Sequence, residues 1–170
     1  MTYYIINHRY DRGLIMGKTK ELSDCIPESL VAKIMQNGKE QSDQHVYRVA
    51  KNGRINNDVT FMGTYEESLH EGRPFDKDRD EIGSYSTSCY LTLKRPRKFL
   101  KLLKKKYFDK YPQPGIIHGY TICGLSQLTR ERIPDYEDDH VDWWIYKDSF
   151  CQLFQSFHYV EDSERGVLNE

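Results

Sequence analysis

Three short stretches carry side chains that a purely structural strand would not select. In HVYRVA (45–50), period-two alternation sets Arg48 on the face of Val46 and Ala50, a guanidinium among apolar neighbours that calls for an anionic partner. In GSYSTSCYLTL (83–93), a strand opening at Gly83 places Tyr85, Thr87, Cys89, Leu91 and Leu93 on one face and Ser86, Ser88, Tyr90 and Thr92 on the other. HVDWWIY (140–146) sets His140, Asp142 and Trp144 against Val141, Trp143 and Ile145. A donor fork, a pair of hydroxyls and a carboxylate, each on a different strand, suit a cleft that binds an anion and stabilises developing positive charge.

The order of Tyr47-Arg48, then Ser86-Thr87-Ser88, then an acidic strand after a long loop resembles the ADP-ribosyltransferases of the arginine, STS, glutamate class. The resemblance covers residues 45 to 160 and rests on order and strand context, since no single motif is specific. It implies an α+β fold, a split β-sandwich of two small sheets around an NAD cleft with flanking helices. It further implies that Arg48, Ser86, Thr87 and Ser88 bind NAD as co-substrate, that Ser86 orients the nicotinamide ribose and that Asp142 touches the ribose hydroxyl. Breaking the nicotinamide to ribose bond builds an oxocarbenium-like sugar, as in glycoside hydrolysis, which a fixed carboxylate stabilises. Arg48 offers a fork for the pyrophosphate, and no Rossmann-type GxGxxG loop is present.

The sequence departs from that family at two positions. Asp142 stands where glutamate is usual, one methylene shorter, so the backbone must bring the carboxylate closer. His140 stands where Glu or Gln commonly presents the acceptor. This points away from ordinary arginine modification and makes His140 a candidate base, because imidazole titrates near neutral pH. The resulting expectation is an NAD-dependent mono-ADP-ribosyltransferase acting on an intracellular macromolecule, protein or nucleic acid, as a toxin or as a phage-borne modifier of a host defence complex. An NAD glycohydrolase and a catalytically inactive binding module of the same fold are the alternatives.

The elements that must position these residues are read from periodicity and breakers. PESLVAKIMQN (27–37) predicts a helix stopped by Gly38. Thr64 and Glu67 predict a capping box for a short helix ended by Gly72 and Pro74, with FDKDRDE as loop. KRPRKFLKLLKKKYFDKYP predicts a helix started by Pro96, with Phe99, Leu100, Leu102, Leu103 and Tyr107 inward and Pro112 as its end. GIIHGYTIC (115–123) and SFHYVE near the end read as strands, and 124–139 as one long loop, which the family resemblance implies is the substrate-recognition turn.

Composition bounds the answer. One domain spanning 1–170 is expected, and 13% aromatics make the chain a folding one despite 30% charged residues and a mean hydropathy of -0.78. Cys25, Cys89, Cys123 and Cys151 are far apart with no zinc spacing and read as buried free thiols, which leaves cysteine protease chemistry without a nucleophile context. DYEDDHVD (135–142) is acid-rich, but consecutive carboxylates on a loop are more often solvated than metal-binding, so no metal is expected. No apolar run at MTYYIINHRYDRG suits a signal peptide and none elsewhere suits a membrane span, so a cytoplasmic protein is expected. The net charge of -1 gives no global pull toward polyanions, whereas residues 94–106 hold eight Lys or Arg and could meet an acidic partner.

Overall fold

The computed structural model describes residues 20–41, 43–75 and 81–160. The amino-terminal stretch through 19, most of the FDKDRDE segment and everything after Val160 lie outside the described residues. In chain order the elements are α1 (Glu28–Asn37), β1 (His45–Ala50), α2 (Thr64–His70), β2 (Thr87–Tyr90), α3 (Lys94–Lys106), β3 (Gly115–Tyr120), β4 (Gly124–Leu128), β5 (His140–Ile145), α4 (Phe150–Ser156) and β6 (His158–Tyr159). The fold is mixed α and β, as expected.

One antiparallel sheet of six strands runs in the order β4-β5-β2-β1-β3-β6. Pairing along it is uneven. β1 and β3 match from His45↔Tyr120 to Ala50↔Gly115, and β4 and β5 from Gly124↔Ile145 to Leu128↔Val141, yet β1 meets β2 only at Tyr47↔Tyr90. The sheet therefore consists of two three-stranded halves, β4-β5-β2 and β1-β3-β6, hinged on a single residue pair.

Packing follows that division. On one face both halves share a core of Val46, Ala50, Cys89, Ile117, Val141 and Trp143, closed by Phe61, Leu153 and Phe157, with Trp143 stacked on Phe157. On the other face each half has its own cover. Leu30 and Ile34 of α1 pack on Leu125 and Trp144, while Leu103 of α3 packs on Val49 and Ile116. Because β5 is sandwiched, all six of its residues are buried, which explains why its sequence is apolar on both alternating sets apart from His140 and Asp142.

Several expectations are corrected. Residues Gly83–Tyr85 form a 3-10 turn rather than the start of a strand, and Leu91–Leu93 are bends, so the strand is only TSCY. Thr64 is the first helical residue of α2, behind Gly63, so there is no capping box. Its hydroxyl faces the Ser86 carbonyl at 3.3 Å, and Glu67 pairs with Lys51 instead. Gly63 is required there, since a Cβ would sit 2.5 Å from the Tyr85 carbonyl oxygen. The segment 124–139 is not one loop: GLSQL pairs along β5 as β4 and Thr129–Glu131 form a 3-10 turn. Helix α4 precedes the short terminal strand and was not expected. In α3 only Leu103 of the expected stripe is buried, with Phe99 and Leu102 37% and 39% exposed. Of the four cysteines, all free, only Cys89 is buried.

Candidate functional site

The alternation of β5 and β2 decides which groups meet. Cross-strand partners share a face in an antiparallel pair, so Ser88↔Asp142 and Tyr90↔His140 place those four side chains together, with Tyr47 of β1 beside Tyr90. Thr87 and Cys89, opposite Trp143 and Val141, belong to the shared core. Arg48, one residue past Tyr47, also points to that core face, away from Asp142. The expected convergence of all three stretches therefore does not occur: Ser86, Ser88, His140 and Asp142 come together, while Arg48 and Thr87 lie behind them.

Among the described residues, Arg48 is held by carbonyls and not by an anion. Its Nε donates to the Thr60 carbonyl at 2.6 Å, Nη1 to the Ser88 carbonyl at 2.6 Å and Nη2 to the Met62 carbonyl at 3.3 Å. Thr87 Oγ1 donates to the Phe61 carbonyl at 2.6 Å. These bonds fasten β2 to the 60–62 segment, and through it to the start of α2, where the Thr64 amide donates to the Ser86 carbonyl. Arg48 positions the STS stretch from behind.

Asp142 is the centre of the buried network. Although it is 2% exposed, its Oδ1 accepts from Ser86 Oγ at 2.6 Å and its Oδ2 accepts from Thr129 Oγ1 at 2.7 Å and from Arg132 Nη2. Arg132 Nε donates to Gln127 Oε1 at 3.0 Å, and its guanidinium lies 6.0 Å from the Trp144 ring centroid. The cation beside Asp142 is Arg132, whereas Lys147, just past the end of β5, pairs with Glu21 and Asp24.

His140 is joined to the same network. Thr129 Oγ1 is 2.5 Å from His140 Nδ1 as well as 2.7 Å from Asp142 Oδ2. A hydroxyl has one proton, and the carboxylate can only accept it, so the imidazole Nδ1 must be the donor to Thr129. The relay Nδ1–H to Oγ1–H to carboxylate leaves the lone pair on Nε2. Burial holds the imidazole below its ordinary value, against the opposing pull of Asp142, Glu137 and Asp139, so the ring is neutral at neutral pH. Tyr90 and Tyr136 rings flank it at 5.1 and 5.0 Å.

A cleft of roughly 690 Å³ opens over this network. It is bounded by Thr64 and Ser68 of α2, by Ser84, by Ser88 and by Tyr136, with His140 and Asp142 at its floor and Arg73 and Phe75 at its rim. Such a volume suits a ligand of nucleotide to dinucleotide size. Ser86 does not reach it, being wholly buried behind Asp142.

Among the described residues, other nucleophile and metal chemistry has no comparable setting. Burial pushes the Cys89 thiol up to about 12. Four of the five acids of 135–142 turn to separate partners: Glu137 to Arg95, Asp138 to Arg130, Asp139 to the Thr92 hydroxyl and Asp142 to Arg132. Among the described residues no group of three His, Cys, Asp or Glu converges, and no helix is long and apolar enough to cross a membrane.

Sequence reasoning missed Thr129, Arg132, Tyr136 and Arg73. A threonine and an arginine in the aperiodic stretch TRER give no local sign of function. The one available signal was the length of the 124–139 segment, which does build the site. The chain matches no family model, no curated protein and no solved structure.

Proposed function

We propose that the chain is an NAD-consuming ADP-ribosyltransferase whose reactive cleft lies over Asp142 and His140. The observation that carries this reading is the 2.6 Å bond from Ser86 of the STS stretch to Asp142, which joins two of the three stretches of the family order directly beneath a dinucleotide-sized cleft that Asp142 lines. In this reading the division of the single six-stranded sheet at Tyr47↔Tyr90 stands for the two sheets of a split sandwich. In the reaction the ribose C1′ to nicotinamide nitrogen bond breaks, its electron pair leaves with neutral nicotinamide, and the cationic ribose is stabilised by the Asp142 carboxylate. The acceptor nucleophile then bonds C1′ and gives up its proton, for which the His140 Nε2 lone pair is the base. Tyr136 offers a face for a base, and Arg73, a cation that the pyrophosphate would share with Glu71, takes the role expected of Arg48.

A second reading has its own observation. Arg132 compensates Asp142 and thereby reduces the field available to a cationic sugar, which favours a module that binds dinucleotide without turnover. Incubation with NAD labelled on the adenylate portion, in cell lysate, separates the two. Nicotinamide release with label on a macromolecule supports transfer, and protease or nuclease sensitivity then identifies the acceptor class. Release without label makes the protein an NAD glycohydrolase. Saturable binding without release establishes the silent module, and absence of binding overturns the NAD assignment.

A further inference from the structure

Helix α3 carries a formal charge of +8 in a chain whose total is -1, so everything outside it sums to -9. Of its eight cations, Lys94, Lys98, Lys101, Lys104, Lys105 and Lys106 have no side-chain ion pair or hydrogen bond among the described residues, while Arg95 pairs with Glu137 and Arg97 also has a partner. A helix serving only to cover the sheet would bury its apolar stripe, yet α3 buries one leucine of it.

Between α3 and the edge strand β6 runs a groove of roughly 440 Å³. One wall presents Arg97, Lys101 and Lys104, at positions i, i+4 and i+7 of a single helix face. Leu100 and Ile116 contribute its apolar lining, and Tyr159 stands on the opposite side, 44% exposed. The Tyr159 ring is pinned: its hydroxyl donates to the Gly53 carbonyl at 2.8 Å and accepts from the Ile55 amide at 3.2 Å.

We propose that this groove binds single-stranded nucleic acid, with Arg97, Lys101 and Lys104 along the phosphates and Tyr159 as a platform for a base. A row of cations beside a fixed aromatic ring is the combination that single strands require, since phosphates supply affinity and every base has a face to stack. An acidic protein would use the cations but not the pinned ring. Arg97 to Lys104 spans about 10 Å of helix at ~1.5 Å per residue, about three nucleotides at ~3.4 Å of rise each. The groove lies on a different element pair from the NAD cleft, and its occupancy does not depend on the chemistry proposed there.

The test is fluorescence anisotropy on the full chain without NAD, using labelled dT12, rU12, a duplex of matching length and the acidic peptide EDSERGVLNE, which is the sequence of residues 161–170. Single strands should bind with log K falling against log salt at a slope of about -2, from roughly 0.7 per phosphate contact over three contacts. The exposed pair Lys101→Glu and Lys104→Glu should weaken binding at least tenfold and flatten that slope. Tyr159→Ala should weaken it about tenfold, and Tyr159→Phe, which keeps the ring but loses the bonds to Gly53 and Ile55, should weaken it less. Comparison of dT12 with rU12 tells DNA from RNA. Absence of binding at low salt, duplex bound as tightly as single strand, peptide bound in preference to oligonucleotide, or indifference to the lysine reversals would each overturn the proposal.

Discussion

Ser86 Oγ lies 2.6 Å from Asp142 Oδ1, with the same hydroxyl 2.8 Å from the Gly83 carbonyl, so a single proton serves two acceptors at the end of a 3-10 turn. This contact ties the stretch before β2 to the middle of β5. It fixes the rotamer of a carboxylate that is also paired with Arg132 and Thr129.

Asp142→Asn keeps the volume and removes the charge. On the proposed chemistry, nicotinamide release should fall by on the order of a hundredfold or more. The same change leaves Arg132 facing a neutral amide, at a stability cost of about 3 kcal/mol. Ser86→Ala should lower release less, about tenfold, because two other donors still hold the carboxylate. Release at the parental rate by a folded Asp142→Asn protein removes this residue from the reaction.

On the proposed chemistry Thr129 is a positioning residue, acting through His140. Thr129→Ser keeps the hydroxyl and should keep the Nδ1–H tautomer, whereas Thr129→Val breaks the relay and frees the ring to exchange tautomers. Nitrogen-15 NMR of the His140 side chain reads this directly, and a purely packing role for Thr129 would leave the tautomer unchanged in the valine variant.

Stability should depend on pH in two separate windows. His140 has a folded value below its ordinary 6.5, so its contribution is present above 6.5 and is lost as pH falls through that value toward the folded one. Glu71 is raised by burial but more strongly lowered by bonds from Lys110 and Tyr111, by the charge of Lys51 and by a bond from Arg73, reaching about 2. Its contribution is present above 4.5 and is lost as pH falls toward 2. Denaturant midpoints measured from pH 8 to 2 should show both losses, with His140→Gln abolishing the upper and Glu71→Gln the lower.

Arg48→Ala removes the donors of three carbonyls, one of them Thr60 in the core, and should cost about 3 kcal/mol or more. On the present placement, NAD affinity of the remaining folded fraction should hold. A protein of parental stability that has lost NAD would return Arg48 to the binding site.

Local pattern alone determined a good part of this protein. The apolar stripe and bounding Gly38 marked α1, the β-branched and aromatic alternation marked β1 and β5, and the opposition of His140 and Asp142 to Val141 and Trp143 was already a statement about faces. Each of these depends on residues within one element, where a period of 3.6 or 2 leaves a trace. The strand GLSQL left none, since its pairing with β5, from Gly124↔Ile145 to Leu128↔Val141, satisfies its backbone from a distant segment and both its faces are covered. Helix α4 is likewise too short to show a period. The site was split in the same way. Asp142, His140 and the serines were visible as residue types in order, but their partners Thr129 and Arg132 reach them only because a 3-10 turn follows β4. Whether Arg48 would face the acid or turn away depended on the pleat across β1, β2 and β5. The pairs Tyr47↔Tyr90 and Ser88↔Asp142 set that phase, because an antiparallel register assigns every side chain to one face or the other and a single chain segment carries no information about its neighbour's phase.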